Sequence, residues 1–316
     1  MSMKYAATLR FGSFNTWSGC IPGSAGQRDH IVDFIVDLAH TFDYLVLHEV
    51  HVSNDSQTER FVPPRSPGHR PGPLDLKLGN RLMDRLKTTH RYMFAPHFNV
   101  TALHDYEATD LPVYYGNLVL IKRQVAIVRN EVALIYGIGN VNTETLHRET
   151  GHVTGRAGSR RANVTTIDTG YGHVTVAGVH GLHSRAGKID SPARNAQSSQ
   201  IAAVIAQQRK LLKLSGDEPH SLVLGDLNLT SENDALRKLL ENPSAFGFSR
   251  GINLNDQFNI TNTRTKWYPK SKSSREANFA LASVGLAEQV TKYVVQRKTP
   301  SDHGYTDLTI EKKPGT

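Results

Sequence analysis

The chain has 316 residues, is 38% hydrophobic and 21% charged, and carries a net charge of +8 with a single cysteine, Cys20. One cysteine excludes an intramolecular disulfide framework, and no apolar run is long enough to span a membrane. The cationic balance points to a polyanionic partner, because Lys and Arg neutralise phosphates and release counterions.

The opening residues, MSMKYAATLRFGSFNTW, hold one Lys and no long apolar stretch. That is not a signal peptide, and the expected location is the cytoplasm. Residues 8–16 alternate like a half-buried strand. Ile31, Phe34, Ile35 and Leu38 recur at helical spacing, which predicts an amphipathic helix over about 27–40. YLVLHEV (44–50) reads as a buried strand, and RFVPPRSPGHRPGP (60–73) as a surface loop. A helix is expected over 74–88, then strands over 92–97, 114–121, 125–135, 162–168 and 173–179. The polar, basic segment 142–161 is a long loop or a flap. Ser191 and Pro192 suit the N-cap and first turn of a helix whose core face carries Ile201, Val204, Ile205 and Leu212.

SLVLGDLNLTSEND (221–234) is apolar to Leu224, breaks at Gly225 and then presents Asp226 and Asn228. Ser231 and Asp234 resemble a capping box for a short helix. Strands near 279–283, 289–296 and 305–310 close the chain. Strands and helices interleave without a break in composition, which favours one α/β domain over residues 1–316.

Several strands run apolar and end in residues that handle metal or phosphate. RFGSFNTW delivers Asn15, YLVLHEV Glu49, VTVAGVHGLHS His180, and LVLGDLN both Asp226 and Asn228; SDHGY sets Asp302 and His303 before the last strand. Side chains two apart on an extended segment face the same way, so Asp226 and Asn228 can meet one ligand. Oxygen donors from Asn15, Glu49, Asp226 and Asp302 suit Mg²⁺ or Mn²⁺. Histidines can hold a phosphate oxygen or move a proton near neutral pH. With no Cys or Ser nucleophile in the pattern, this points to direct attack of water on a phosphoester.

In order, FNTW, LHEV, YYGNLVL, RRANV, GVHGLHS, GDLN and SDH, from residue 14 to 303, make the chain resemble the endonuclease/exonuclease/phosphatase superfamily with its DNase I-like fold. The resemblance implies a four-layer α/β sandwich, two packed mixed sheets flanked by helices, and Mg²⁺-dependent phosphoester cleavage. It implies that Asn15 and Glu49 hold the metal, with Asp302 assisting the metal or a histidine. Asp226 would orient or deprotonate water, Asn228 would bind the scissile phosphate, and His180 and His303 would contact or protonate it. Asn117 and Arg161 fall where the family keeps phosphate-facing residues. Two departures stand out: His48 replaces the usual Gln before the metal Glu, and Asn278 replaces the Asp that orients the catalytic His. An amide can orient an imidazole but cannot stabilise an imidazolium by charge. Glu276 is the alternative partner.

GFSRG (247–251) matches a nucleophile elbow in letters but lacks the strand before it and the helix after it. His180 and His183 have no third zinc ligand at finger spacing. The segment 262–275 interleaves Arg264, Lys266, Lys270, Lys272 and Arg275 with Trp267 and Tyr268, a pattern suited to nucleic acid. Arg264 and Tyr268 are its candidate substrate contacts. The expected function is a monomeric, metal-dependent nuclease acting on DNA or RNA. The alternatives are a phosphatase or phosphodiesterase acting on a small or lipid phosphoester, and an inactive nucleic-acid-binding homologue in which Asn278 has cost the activity.

Overall fold

The computed structural model describes residues 8–19, 28–53, 60–61, 74–99, 112–137, 159–170, 172–183, 188–214, 220–247, 249–265 and 276–311. Tyr268 with its aromatic-basic run, most of the 142–161 loop, and residues 62–73 lie outside them.

In chain order the strands are β1 (Thr8–Asn15), β2 (Tyr44–Ser53), β3 (Arg60–Phe61), β4 (Leu74–Asp75), β5 (His90–Asn99), β6 (Val113–Lys122) and β7 (Ala126–Tyr136). They continue as β8 (Arg160–Asp168), β9 (His173–His180), β10 (Ser221–Asp226), β11 (Ile252–Asn253), β12 (Asn278–Ala282), β13 (Val290–Gln296) and β14 (Tyr305–Glu311). The helices are α1 (Arg28–Thr41), α2 (Leu78–Leu86), α3 (Pro192–Leu211), α4 (Asp234–Leu240), α5 (Pro243–Phe246), α6 (Leu254–Gln257) and α7 (Val284–Ala287). One six-stranded sheet runs β13-β14-β1-β2-β6-β5 and the other β11-β12-β10-β9-β8-β7. Each is mixed: β1 pairs parallel to β2, and β10 parallel to β9, among antiparallel neighbours.

The alternation of side chains sorts the core into three layers of contact. Phe11, Tyr44, Val46 and Val119 meet Val176, Leu222, Leu224 and Ala280 between the sheets. Intervening residues Phe14, Leu45, Leu47, Leu118 and Leu120 face Ile31, Ile35, Leu82 and Leu86 of α1 and α2. On the opposite outer face Val164, Val179, Val223 and Leu281 meet Ile201, Val204, Ile205, Leu236 and Leu239. The result is the expected four-layer sandwich, with helix, sheet, sheet and helix in sequence. Truncating one of these fully buried leucines or isoleucines to Ala removes about 2–5 kcal/mol.

Ser191 caps α3, its Oγ accepting from the Arg194 N–H at 3.3 Å, with Pro192 in the first turn. Two helix starts differ from expectation. The helix expected from residue 74 starts at Leu78, because Leu74–Asp75 pairs as a strand and the Asp75 carboxylate accepts the Lys77 N–H at 3.1 Å, a local bond that competes with the helix. The capping box expected from Ser231 does not form. Asn233 occupies the N-cap of α4, and its Oδ1 is taken by the Thr230 N–H at 2.7 Å. The cap comes instead from Asp190, which accepts from the Asp234 and Ala235 N–H groups at 3.0 and 3.1 Å.

Candidate active site

Register brings the site together at one end of both sheets. Asp226 ends β10 directly between His180 of β9 and Asn278 of β12. On the facing sheet Asn15 ends β1 beside His48 of β2. The loop before β14 adds Asp302 and His303, and an isolated bridge pairs His303 with Arg264.

Glu49 reaches the site through a bulge. Between Leu47, opposite Leu118, and Val50, opposite Gly116, β2 advances three residues while β6 advances two. Glu49 takes φ of 59°, a left-handed conformation that costs a residue with a Cβ about 1–2 kcal/mol. Thr16 Oγ1 holds the bulge by donating to the carbonyls of His48 and Glu49, each at 3.0 Å. Strict alternation would have set Glu49 on the face of Leu47, toward α1; the bulge turns its carboxylate to Asn15.

Asn15 is the hinge between carboxylates. Its Nδ2 donates to Glu49 Oε1 at 3.2 Å and to Asp226 Oδ2 at 2.9 Å. Its Oδ1 accepts the Trp17 N–H at 2.9 Å. Asn15, expected to offer a metal an oxygen, thus has its Oδ1 bonded once by backbone and its nitrogen turned to the acids. Ser18 Oγ donates to the other Glu49 oxygen at 3.2 Å.

Asp226 is 1% exposed, and its Oδ2 lies 3.5 Å from His303 Nε2 and 4.0 Å from His180 Nε2. Its Oδ1 accepts the Asn228 N–H at 3.0 Å. Burial opposes ionisation of Asp226, but His303, His180, Arg264 and Lys188 outweigh it and hold the carboxyl well below the usual range. Asp302 goes the other way. Burial pushes it up to about 6, Arg264 opposes that, and the charges of Glu49 and Asp226 add to it.

The His303 tautomer follows from its neighbours. Asn278 Nδ2 donates to the Gly304 carbonyl at 2.7 Å, which leaves Oδ1 facing His303 Nδ1 at 3.1 Å. His303 therefore carries its proton on Nδ1, and Nε2 accepts from Arg264, which also pairs with Asp302 Oδ2 at 3.1 Å. Burial, and then the Arg264 charge, lower the His303 pKa well below its ordinary value, so the ring is neutral. Glu276, the alternative partner for His303, instead accepts the Ser231 N–H at 2.8 Å.

The remaining expected residues sit around this centre. Asn228 adopts φ of 53°, and its Nδ2 donates to the Gly181 carbonyl at 3.3 Å. Asn117 holds His48: its Nδ2 donates to the Arg161 carbonyl at 3.3 Å and its Oδ1 meets His48 Nδ1 at 3.0 Å. Ser13 Oγ lies 3.1 Å from His48 Nε2, so the imidazole that replaces Gln is fully bonded. Arg161 is buried, and its guanidinium donates to the carbonyls of Pro96 and His97 at 2.6 and 3.1 Å. His183 is exposed.

Two residues that no motif marked belong to the same region. His97 Nδ1 accepts the Arg161 N–H at 3.1 Å, so its proton sits on Nε2, which is buried without a partner among the described residues. Its ring centroid is 5.9 Å from that of His180. Lys188 Nζ is likewise buried without a hydrogen-bond partner. His97 stands beside no recognisable motif, and Lys188 follows GVHGLHS by four residues without being singled out by it.

Among the described residues, no three His, Cys, Asp or Glu side chains gather into a metal cage. A hard cation that keeps much of its water needs only one or two carboxylates. Glu49 and Asp302 could hold one: burial drives Asp302 upward, and the like charges of Glu49 and Asp226 that add to it are what a divalent cation would neutralise.

A model of the Endonuclease/Exonuclease/phosphatase family matches residues 12–303. No curated protein sequence matches. Among solved structures, an endonuclease/exonuclease/phosphatase from Bacteroides vulgatus is 15% identical with a TM-score of 0.58, the match covering 97% of this chain and 99% of that one. The mannosyl-6-phosphatase Bt3783 of Bacteroides thetaiotaomicron is 13% identical with a TM-score of 0.58, over 95% of this chain and 98% of that one. Truncated TDP2 from Caenorhabditis elegans is 14% identical with a TM-score of 0.53, over 96% and 98%. At these identities the likeness establishes the fold.

Proposed function

The chain belongs to the endonuclease/exonuclease/phosphatase family, and on that premise we propose that it is a phosphoesterase dependent on Mg²⁺ or Mn²⁺ that hydrolyses phosphodiester bonds of nucleic acid. The observation that carries the hydrolytic reading is Asp226: a buried carboxylate kept ionised, one oxygen ringed by Asn15, His303 and His180. Such a carboxylate can orient a water for attack. Arg264 offers N–H groups and charge, and the neutral His180 ring an N–H, to phosphate oxygens as the phosphorus centre expands. Glu49 and Asp302 would hold the cation, which when bound supplies Lewis-acid stabilisation of charge on the phosphate.

The net charge of +8 supports a nucleic-acid substrate. A second reading, a small phosphomonoester, is favoured by the depth of the site, since Asp226 is 1% and Arg264 7% exposed. The test is cleavage of supercoiled plasmid, single-stranded DNA and RNA beside mono- and bis-nitrophenyl phosphate, with Mg²⁺, Mn²⁺ or chelator. Asp226→Ala controls for contaminating nuclease. Metal-dependent cutting of nucleic acid, lost in the variant, upholds the first reading; hydrolysis confined to the monoester transfers the conclusion to the second. Silence on every substrate sinks both.

A further inference from the structure

Lys188 has a fixed backbone and an unsatisfied head. Its carbonyl accepts from Asn233 Nδ2 at 3.0 Å, the Ile189 carbonyl accepts from Arg194, and Asp190 is bound to the start of α4. The ammonium is buried, yet it has no hydrogen-bond partner among the described residues. The acids that act on it are Asp226 and Glu276, and the cations Arg264 and Arg194. Both acids have other partners. Asp226 accepts from Asn15 and from the Asn228 N–H, and Glu276 from Ser231. Arg264 pairs with Asp302, and Arg194 donates to the carbonyls of Ile189 and Leu182.

Folded proteins rarely keep a buried cation without an acceptor, because its desolvation is then uncompensated. Here the anchored backbone keeps the amine where its charge acts on both Asp226 and His303. An acceptor that arrives with substrate resolves the discrepancy. We propose that Lys188 is a substrate-contacting residue whose ammonium binds a non-bridging oxygen of the substrate phosphate, alongside Arg264. The inference rests on the phosphoesterase reading. Burial brings the free amine down to about 7, and a bound phosphate would keep it charged.

The test uses the full chain and inorganic phosphate as probe. Binding is measured by calorimetry in Mg²⁺ for the parent, Lys188→Met, Lys188→Arg and Lys188→Gln. Hydrolysis is followed on whichever ester the parent cleaves. One charge-assisted hydrogen bond predicts about 10- to 100-fold weaker phosphate binding in the Met and Gln variants, with partial recovery in Arg. Phosphate binding in Gln or Met equal to the parent's overturns the proposal, as does a parent that binds no phosphate. If Met does not fold, Gln and Arg decide. A parent that binds phosphate through Lys188 but cleaves no ester upholds this inference and removes the activity reading. Unchanged kcat/KM in a variant of a parent that cleaves does the reverse.

Discussion

Asn278 Oδ1 stands 3.1 Å from His303 Nδ1 while its Nδ2 donates to the Gly304 carbonyl at 2.7 Å, so one amide fixes both the tautomer and the loop that carries the ring. The amide therefore orients the ring at the position where the sequence resemblance implies an aspartate. Asn278→Asp keeps the acceptor for Nδ1–H but turns a carboxylate oxygen toward the Gly304 carbonyl, and it should lower stability by about 1–3 kcal/mol. Turnover should stay within about tenfold of the parent, whereas Asn278→Ala, which frees the ring, should lose about 100-fold or more. Urea unfolding and kcat on the best substrate separate the two. A collapse of Asn278→Asp to the level of Ala would show that the Gly304 bond, not the tautomer, is what matters.

The layers of the fold were legible because they follow from period: Phe11, Tyr44 and Val46 alternate with Phe14, Leu45 and Leu47 to fill the two faces of one sheet. Asp226, Asn228, Asp302 and His303 were legible because each follows an apolar run or a turn. Glu49 was legible as a residue but not as a geometry, since alternation cannot announce a bulge. Lys188, His97 and the Asp190 cap were hidden for a different reason. Each gains its meaning from partners that are remote in sequence, as Asp190 does from Asp234, 44 residues on.

Glu49 combines backbone strain with function, and the two can be separated. Glu49→Gly relieves the left-handed conformation at φ of 59° and removes the carboxylate. Without metal the variant should be at least as stable as the parent. It should lose the thermal stabilisation that Mg²⁺ or Mn²⁺ gives the parent, and about 100-fold or more of activity. Differential scanning calorimetry with and without metal reads the effect directly; an undiminished metal shift would place the cation elsewhere.

Three buried imidazoles predict an acid weakness. Burial lowers His48 below 6.5, His97 well below it and His180 to about 3. The unfolded chain, whose histidines titrate near 6.5, therefore takes up protons first as pH falls. The stability these groups contribute is intact above about pH 6.5 and is lost from there downward, toward each folded value, at about 1.4 kcal/mol per pH unit per histidine. His48→Gln keeps an amide acceptor for Ser13 and a donor for Asn117, and it should flatten the slope of unfolding free energy as pH falls below about 6.5. An unaltered slope would mean that His48 stays protonated in the fold.

Asp190 caps α4 from 44 residues upstream, accepting two backbone N–H groups at 3.0 and 3.1 Å. Asp190→Ala should cost about 1 kcal/mol, the usual worth of a cap, with the loss read as a lower urea midpoint at an unchanged slope. A larger loss would indicate that the Lys188 backbone moves with it, and weaker phosphate binding by this variant would confirm that movement.

Gly225 explains the break in the strand that precedes Asp226. Its φ is +153°, and a Cβ there would lie 2.0 Å from the Val179 carbonyl oxygen and 2.9 Å from the His48 ring. Gly172 shares the conformation, with φ of +143°, but its Cβ would meet nothing closer than His220 at 3.9 Å. Gly172→Ala therefore carries the backbone strain alone, about 1–3 kcal/mol. Gly225→Ala adds an overlap with a carbonyl locked in the β9–β10 pairing, which cannot retreat without breaking the register that sets Asp226 opposite His180. It should lose more than about 4 kcal/mol and most of the folded protein. The difference between the two urea midpoints isolates the overlap. Equal losses would mean that β10 can shift, and with it the carboxylate on which the proposed chemistry depends.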